Sequence, residues 1–164
     1  MPIWTRGRRP LSELRLLAVG RIGRGPEAEL FARYAARLRP PLAVTELPDG
    51  RGRPAEIKRR EAAALLAAVP DGAFVVALDQ DGTAPTSEAF SRLLDRWLES
   101  GKAVCFVVGG AEGLAAEVLA RADAKLSLGT LTWPHMLARV MLAEQLYRAR
   151  AISAGYPYHR AGRP

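Results

Sequence analysis

The chain has 164 residues and a mass of 17.8 kDa, the size of one domain able to remove roughly 70% of the unfolded chain's surface from water. Apolar residues make up 49% and charged residues 25%, ordinary globular usage that excludes disordered and collagen-like classes. The net charge of +7 points to a polyanionic partner, and it is unevenly spread: residues 1–60 carry 14 Lys+Arg against 6 Asp+Glu, residues 61–138 carry 5 against 10, and residues 139–164 carry 5 against 1. Basic character at the two ends is the pattern of nucleic acid or another anionic surface contacted by particular segments.

Residues 1–13 hold Pro2, Gly7, Pro10 and three arginines, and are expected to be a flexible basic extension ahead of a single domain over 14–164. The apolar run Leu14–Val19, ended by Gly20, predicts a strand. After the loop Arg21–Gly25, Pro26 fits a first helical turn, and Leu30, Phe31, Tyr34 and Leu38 recur at helical spacing until Pro40-Pro41. A strand over 42–47 leads into the basic glycine-rich loop Pro48–Arg53, and a helix follows over 54–69 with Lys58, Arg59 and Arg60 near its start.

Beyond it the pattern predicts a strand over 73–78, a helix over 87–99, a strand over 103–108 and a helix over 114–122. A short strand near 125–128 and a long helix from His135 to Ser153 complete the series. Apolar strands bounded by glycine and separated by helices predict an α/β fold, a mostly parallel sheet with helices on both faces. Ligands of such a sheet bind outside the carboxyl ends of its strands. Three loops are therefore candidates, after Leu78, after Val108 and after Leu128.

The lone cysteine, Cys105, lies within the apolar run 103–108 and is expected to be a small buried hydrophobe. No apolar stretch approaches the ~20 residues that span a bilayer, and no signal peptide is apparent, so a cytoplasmic protein without membrane contact is expected. No Cys/His cluster or carboxylate spacing suits a metal, and a GxSxG nucleophile elbow is absent. Nor is there a dinucleotide GxGxxG or a phosphate-binding GxxxxGKS/T.

Gly109-Gly110-Ala111-Glu112-Gly113 joins a buried strand to a helix through bare backbone that a ligand can approach closely. Leu128-Gly129-Thr130-Leu131-Thr132-Trp133 sets apolar side chains beside free backbone groups, the combination that reads the edge of an adenine and covers its face. In the helix that follows, Arg139 and Glu144 are five residues apart and so do not form the close helical pair. The end Tyr156-Pro157-Tyr158-His159-Arg160 gathers two aromatics, an imidazole and a guanidinium, suited to stacking on an unpaired base, moving a proton and meeting a phosphate. It suits a packing anchor equally. His135, at the start of the last helix, is expected to be structural.

Five stretches in this order, Leu78-Asp79, Gly109–Gly113, Thr132–Val140, Glu144–Ala149 and Tyr156–Arg160, resemble the ribosomal RNA large subunit methyltransferase H family, small SPOUT-class enzymes that methylate N3 of a pseudouridine on the ribosome. The likeness covers about Leu14 to Arg160 and includes the basic segment Gly50–Arg59. The chain departs from the family's pattern in its first dozen residues, at Trp133 and at Ala161–Pro164. The resemblance implies S-adenosylmethionine as cofactor, a homodimer, a ribosomal partner and a C-terminal part threaded as a trefoil knot. It implies a cofactor pocket of Leu78, Gly109, Leu128, Gly129, Thr130, Leu131, Thr132 and Trp133. His159, Arg160 and Tyr158 are expected near the pseudouridine, with Glu112 competing for the role of base. Arg51, Arg53, Lys58, Arg59 and Arg139 are expected on the RNA.

Overall fold

The computed structural model describes residues 12–161. The expected extension therefore lies outside the described residues save for its last two. Ser12 donates from both its backbone N–H and its hydroxyl to the Leu98 carbonyl, and the Glu13 carbonyl accepts from Val104.

Five strands, β1 (Leu14–Val19), β2 (Leu42–Leu47), β3 (Phe74–Thr83), β4 (Val104–Val108) and β5 (Ala124–Leu126), form one sheet in the order β2-β1-β4-β3-β5. Every pairing is parallel. The helices are α1 (Pro26–Ala35), α2 (Pro54–Ala68), α3 (Ser87–Glu99), α4 (Ala116–Arg121) and α5 (His135–Ala154). The period of two within the strands divides the core. Leu14, Leu16, Val76, Val104 and Phe106 point to one face, where Phe31 of α1, Leu94 of α3 and Leu142 of α5 cover them. Leu17, Val19, Val75, Cys105 and Val107 point to the other, under Leu65 of α2 and Val118 of α4. Burial of both faces is why these strands read as continuous apolar runs instead of alternating ones.

The boundaries follow the sequence pattern closely, with one informative difference at β3. The apolar pattern ends this strand at Leu78. The strand instead continues to Thr83 through an irregularity in its pairing with β5, where Leu126 is partnered by both Leu78 and Thr83. The inserted Asp79-Gln80-Asp81-Gly82 is polar and so reads as a loop, yet the Thr83 carbonyl accepts from Ser127 N–H. Gly82 makes the approach possible, because a Cβ there would stand 2.8 Å from the backbone of Lys125. The bulge turns its polar residues out at the carboxyl edge of the sheet.

Leu94 is fully buried between the sheet and α5, whereas Val44 on edge strand β2 is 41% exposed. Leu94→Ala should cost about 2–5 kcal/mol in urea unfolding, and Val44→Ala no more than about 0.5 kcal/mol. Equal losses at the two positions would contradict this placement of the core.

Candidate functional site

A cleft of about 380 Å³ opens where the carboxyl ends of β3, β4 and β5 meet, within the usual size of a small-molecule site. Seven of the eight residues expected to hold a cofactor line it: Leu78, Gly109, Leu128, Gly129, Leu131, Thr132 and Trp133. Thr130 does not, and has another part, its carbonyl accepting at 2.9 Å from the Gln80 side-chain amide. Gln80 also takes the Thr132 hydroxyl at 3.5 Å. The β3 bulge thereby holds the 128–133 loop in place.

Gly109 forms the floor. A Cβ at this position would meet the backbone of Gly113 at 2.8 Å, so the turn closes only around a residue without a side chain. Asp79, Gln80 and Asp81, in the candidate loop after Leu78, belong to the wall, although none of them is among the residues expected to hold the cofactor. The signal is nonetheless present, since two carboxylates directly following a buried strand mark a strand end turned toward a ligand. His135, expected to be structural, stands on the wall as well. The wall has no Lys or Arg, and its formal charges are the two carboxylates.

None of the four residues expected at the reacting base lines this cleft. Glu112 is exposed on the turn after β4. Tyr158 and His159 are docked on the outer side of α5 and α3 of their own chain. His159 Nε2 lies 2.8 Å from the Glu88 carboxylate and its Nδ1 3.2 Å from the Arg148 guanidinium. The Tyr158 hydroxyl donates to Glu144 at 3.0 Å, its ring meets Tyr147 edge-on at 4.8 Å, and Arg148 lies over it at 4.9 Å. Burial first, then contacts with Tyr34 and Glu144, push the Tyr158 phenol above its ordinary range, so it is a neutral donor here. Glu144 pairs with Arg148 one turn on. Arg160 is exposed.

Of the residues expected on RNA, Arg51, Arg53 and Arg59 are exposed and Lys58 is half-buried. Arg139 is a correction, for its side chain is 1% exposed. Its guanidinium donates to the Val19 carbonyl, to the Gly20 carbonyl at 2.7 Å and to Glu46 Oε1 at 2.9 Å. Burial lowers its pKa and the Glu46 carboxylate opposes that shift. The carbonyls at the end of a central strand need donors, and Arg139 supplies them from α5.

Comparison with known proteins identifies the family. The sequence profile of the family described as "Predicted SPOUT methyltransferase" matches residues 13–159. A protein of Gluconacetobacter diazotrophicus named "Ribosomal RNA large subunit methyltransferase H" is 64% identical over 151 residues, which is 92% of this chain and 99% of that one. A protein of the same name from Acidiphilium cryptum is 59% identical, over 94% and 98% of the two chains. The chain belongs to the ribosomal RNA large subunit methyltransferase H family. The family's fold also recurs at low identity. A probable methylase family protein from Haemophilus influenzae superposes with a TM-score of 0.53 at 11% identity, over 93% of this chain and 72% of the other. TrmJ from Z. mobilis gives 0.52 at 16%, over 84% and 70%.

Two expectations test the site. Arg139→Met removes the donors from three oxygens, and because Glu46 keeps some contact with water the loss should be about 3 kcal/mol. Arg139→Lys should recover only part, since an ammonium cannot fork across three acceptors. Urea unfolding reads both, and a loss under about 1 kcal/mol for Arg139→Met would remove the clamp from the account.

The second concerns the docked tail. The hydrogen bond from His159 holds the Glu88 carboxyl below its ordinary range. Such a carboxylate contributes to docking above the ordinary glutamate value and loses that contribution as pH falls through its lowered value. The Tyr158 ring, a phenol that stays neutral throughout, should therefore keep its docked contact with Tyr147 in NMR until that acidic window. In Glu88→Gln the tail should be looser above that window and no different from wild type below it, and ring signals indifferent to this substitution would show that the contact is absent in solution.

Proposed function

We propose that this protein transfers a methyl group from S-adenosylmethionine to N3 of a pseudouridine in large-subunit ribosomal RNA within the assembled ribosome, acting in the cytoplasm as a homodimer. The observation that carries this reading is the cleft, a glycine-floored pocket with leucines and a tryptophan, two carboxylates and no Lys or Arg in its wall. Those walls fit a cofactor that joins a flat base to a cationic centre. Leu128, Leu131 and Trp133 would cover the adenine, the bare backbone at Gly109 and Gly129 would let it approach closely, and Asp79 and Asp81 would favour the positive charge. S-adenosylmethionine, when bound, supplies an electrophilic methyl on a sulfonium.

What remains for the protein is to orient the base and to handle the N3 proton. His159 is the proposed proton acceptor, with Glu112 as its competitor; Arg160 meets a phosphate or base carbonyl and Tyr158 stacks on the base. The tail is docked on α3 and α5 away from the cleft wall of its own chain. In this reading it serves the cleft of a second copy, and the dimer builds each site from one chain's pocket and the other chain's tail. A trefoil-knotted C-terminal part belongs to the same proposal. Arg51, Arg53, Lys58 and Arg59 contact RNA phosphates.

Calorimetry with S-adenosylmethionine and transfer of labelled methyl to intact ribosomes, free large subunits and naked rRNA test the activity. Gly109→Arg should show no cofactor binding and His159→Ala no methyl transfer. Mixing the two should restore partial activity, because a heterodimer contains one site with an intact pocket and an intact tail. Native mass measurement verifies the exchange of subunits. Heterodimers without recovery would defeat the shared site, and a folded wild-type dimer that binds no cofactor would defeat the enzymatic reading itself.

A further inference from the structure

Because every strand pairing is parallel, all five strands present their carboxyl ends to one edge of the sheet, and the order β2-β1-β4-β3-β5 ranks the loops along that rim. Formal charge is sorted along it. Over β3 and β4, where the cleft lies, the loop residues are Asp79, Asp81 and Glu112. Over β1 and β2 they include Arg21, Arg24, Arg51 and Arg53, all exposed.

Of the acidic residues on this second half, Glu46 is engaged and the others lie against backbone or at a helix start, Asp49 and Glu29 being exposed. Glu46 takes the Arg139 guanidinium and, at 2.8 Å, the Ile22 N–H. Asp49 lies against Gly20, and Glu56 against Gly52. Glu27 and Glu29 lie in the first turn of α1, where carboxylates favour the helix dipole. No described carboxylate forms an ion pair with Arg21 or Arg24.

The loop that carries these two arginines is also fixed at its base. Gly20 N–H donates to the Leu47 carbonyl, Ile22 N–H to Glu46, and Arg139 holds the Val19 and Gly20 carbonyls. Two guanidiniums without an ion pair on an anchored loop sacrifice less conformational freedom on binding than two on a flexible one. Their forks match phosphate oxygens.

We propose that Arg21 and Arg24 contact the phosphate backbone of the RNA substrate, which crosses the β2–β1 half of the rim and delivers its target base sideways into the cleft over β4 and β3. The inference rests on the methyltransferase reading for the identity of the polyanion. The carboxylates over β3 and β4 repel phosphate and leave the cleft to the cationic cofactor and one base. The arginines over β1 hold the flanking backbone one strand away.

The test is ribosome binding by wild type and Arg21→Ala/Arg24→Ala across a series of salt concentrations. Every phosphate left without its guanidinium lowers the slope of log affinity against log salt by about 0.7–0.9, so the double variant should show a slope shallower by about 1.5, with cofactor affinity and melting temperature unchanged. An unchanged slope overturns the proposal. A second arm identifies the partner. Arg24→Cys, alkylated with an azidophenacyl group, is photolysed on ribosomes. Cys105 is fully buried and its thiol is pushed up to about 11 by burial, so the label goes to position 24. Cross-links to rRNA are expected, and cross-links to ribosomal protein alone overturn an RNA contact. A wild type that binds ribosomes but methylates no RNA would defeat the methyltransferase reading, while the slope comparison would still judge the surface.

Discussion

Arg139 is the tie on which the rest of the rim depends. Removing a guanidinium from water is expensive, and the structure meets that cost with two strand-end carbonyls and one carboxylate. The same contacts satisfy the end of β1, a central strand whose last carbonyls would otherwise face the underside of α5 without donors. Because Arg139 sits in the second turn of α5, fixing it also fixes the helix start, and hence the loop over 128–134 that feeds into it. Through Glu46 the tie extends to Ile22 and the loop beyond. One side chain thus sets the 128–134 loop and the β1–α1 loop in a common frame.

That tie is not legible locally. An arginine in a basic C-terminal segment reads as surface charge, and its burial depends on Glu46, a partner 93 residues earlier. Most strands are legible because both faces of a parallel sheet are covered, so their apolar runs stand out and end at glycines such as Gly20 and Gly109. The β3 extension escapes for the converse reason. Asp79–Gly82 has the composition of a loop, and only the close approach of Gly82 to Lys125 reveals it as sheet. The cleft is readable because backbone and small residues build it, and glycines with flanking leucines announce such a place by type alone. The carboxylates of its wall stand in the open, and only the cleft around them gives a reason to choose them.

For the tail, residue types are readable and position is not. Tyr158, His159 and Arg160 carry the chemistry of a nucleic-acid site wherever they lie, yet Glu88, 71 residues away, determines where His159 is held. The docking surface is side-chain chemistry almost throughout: an edge-on ring pair, a guanidinium over a phenol, a carboxylate shared by Tyr158 and Arg148. Contacts of that kind order a short segment without a strand or helix to support it. They also hold it at partial exposure, where local opening is easiest.

A docked tail has a consequence for the proposed catalysis across two chains. If the segment were flexible, closing a site on a second copy would require ordering Tyr156–Arg160 at the moment of reaction, at a backbone entropy cost of about 1–2 kcal/mol per residue. In the proposed shared site, docking on α3 and α5 would incur most of that cost during folding, and only the contacts of His159 with Glu88 and Arg148 would have to open for its imidazole to take a proton. The Arg148–Glu144 pair serves the same end, because it neutralises the ground beneath Tyr158 and leaves Arg160, exposed and beyond the docked residues, as the charge presented outward. In that reading, a few groups presented from a docked segment, with Arg160 at the leading edge, would meet the RNA at the neighbouring cleft.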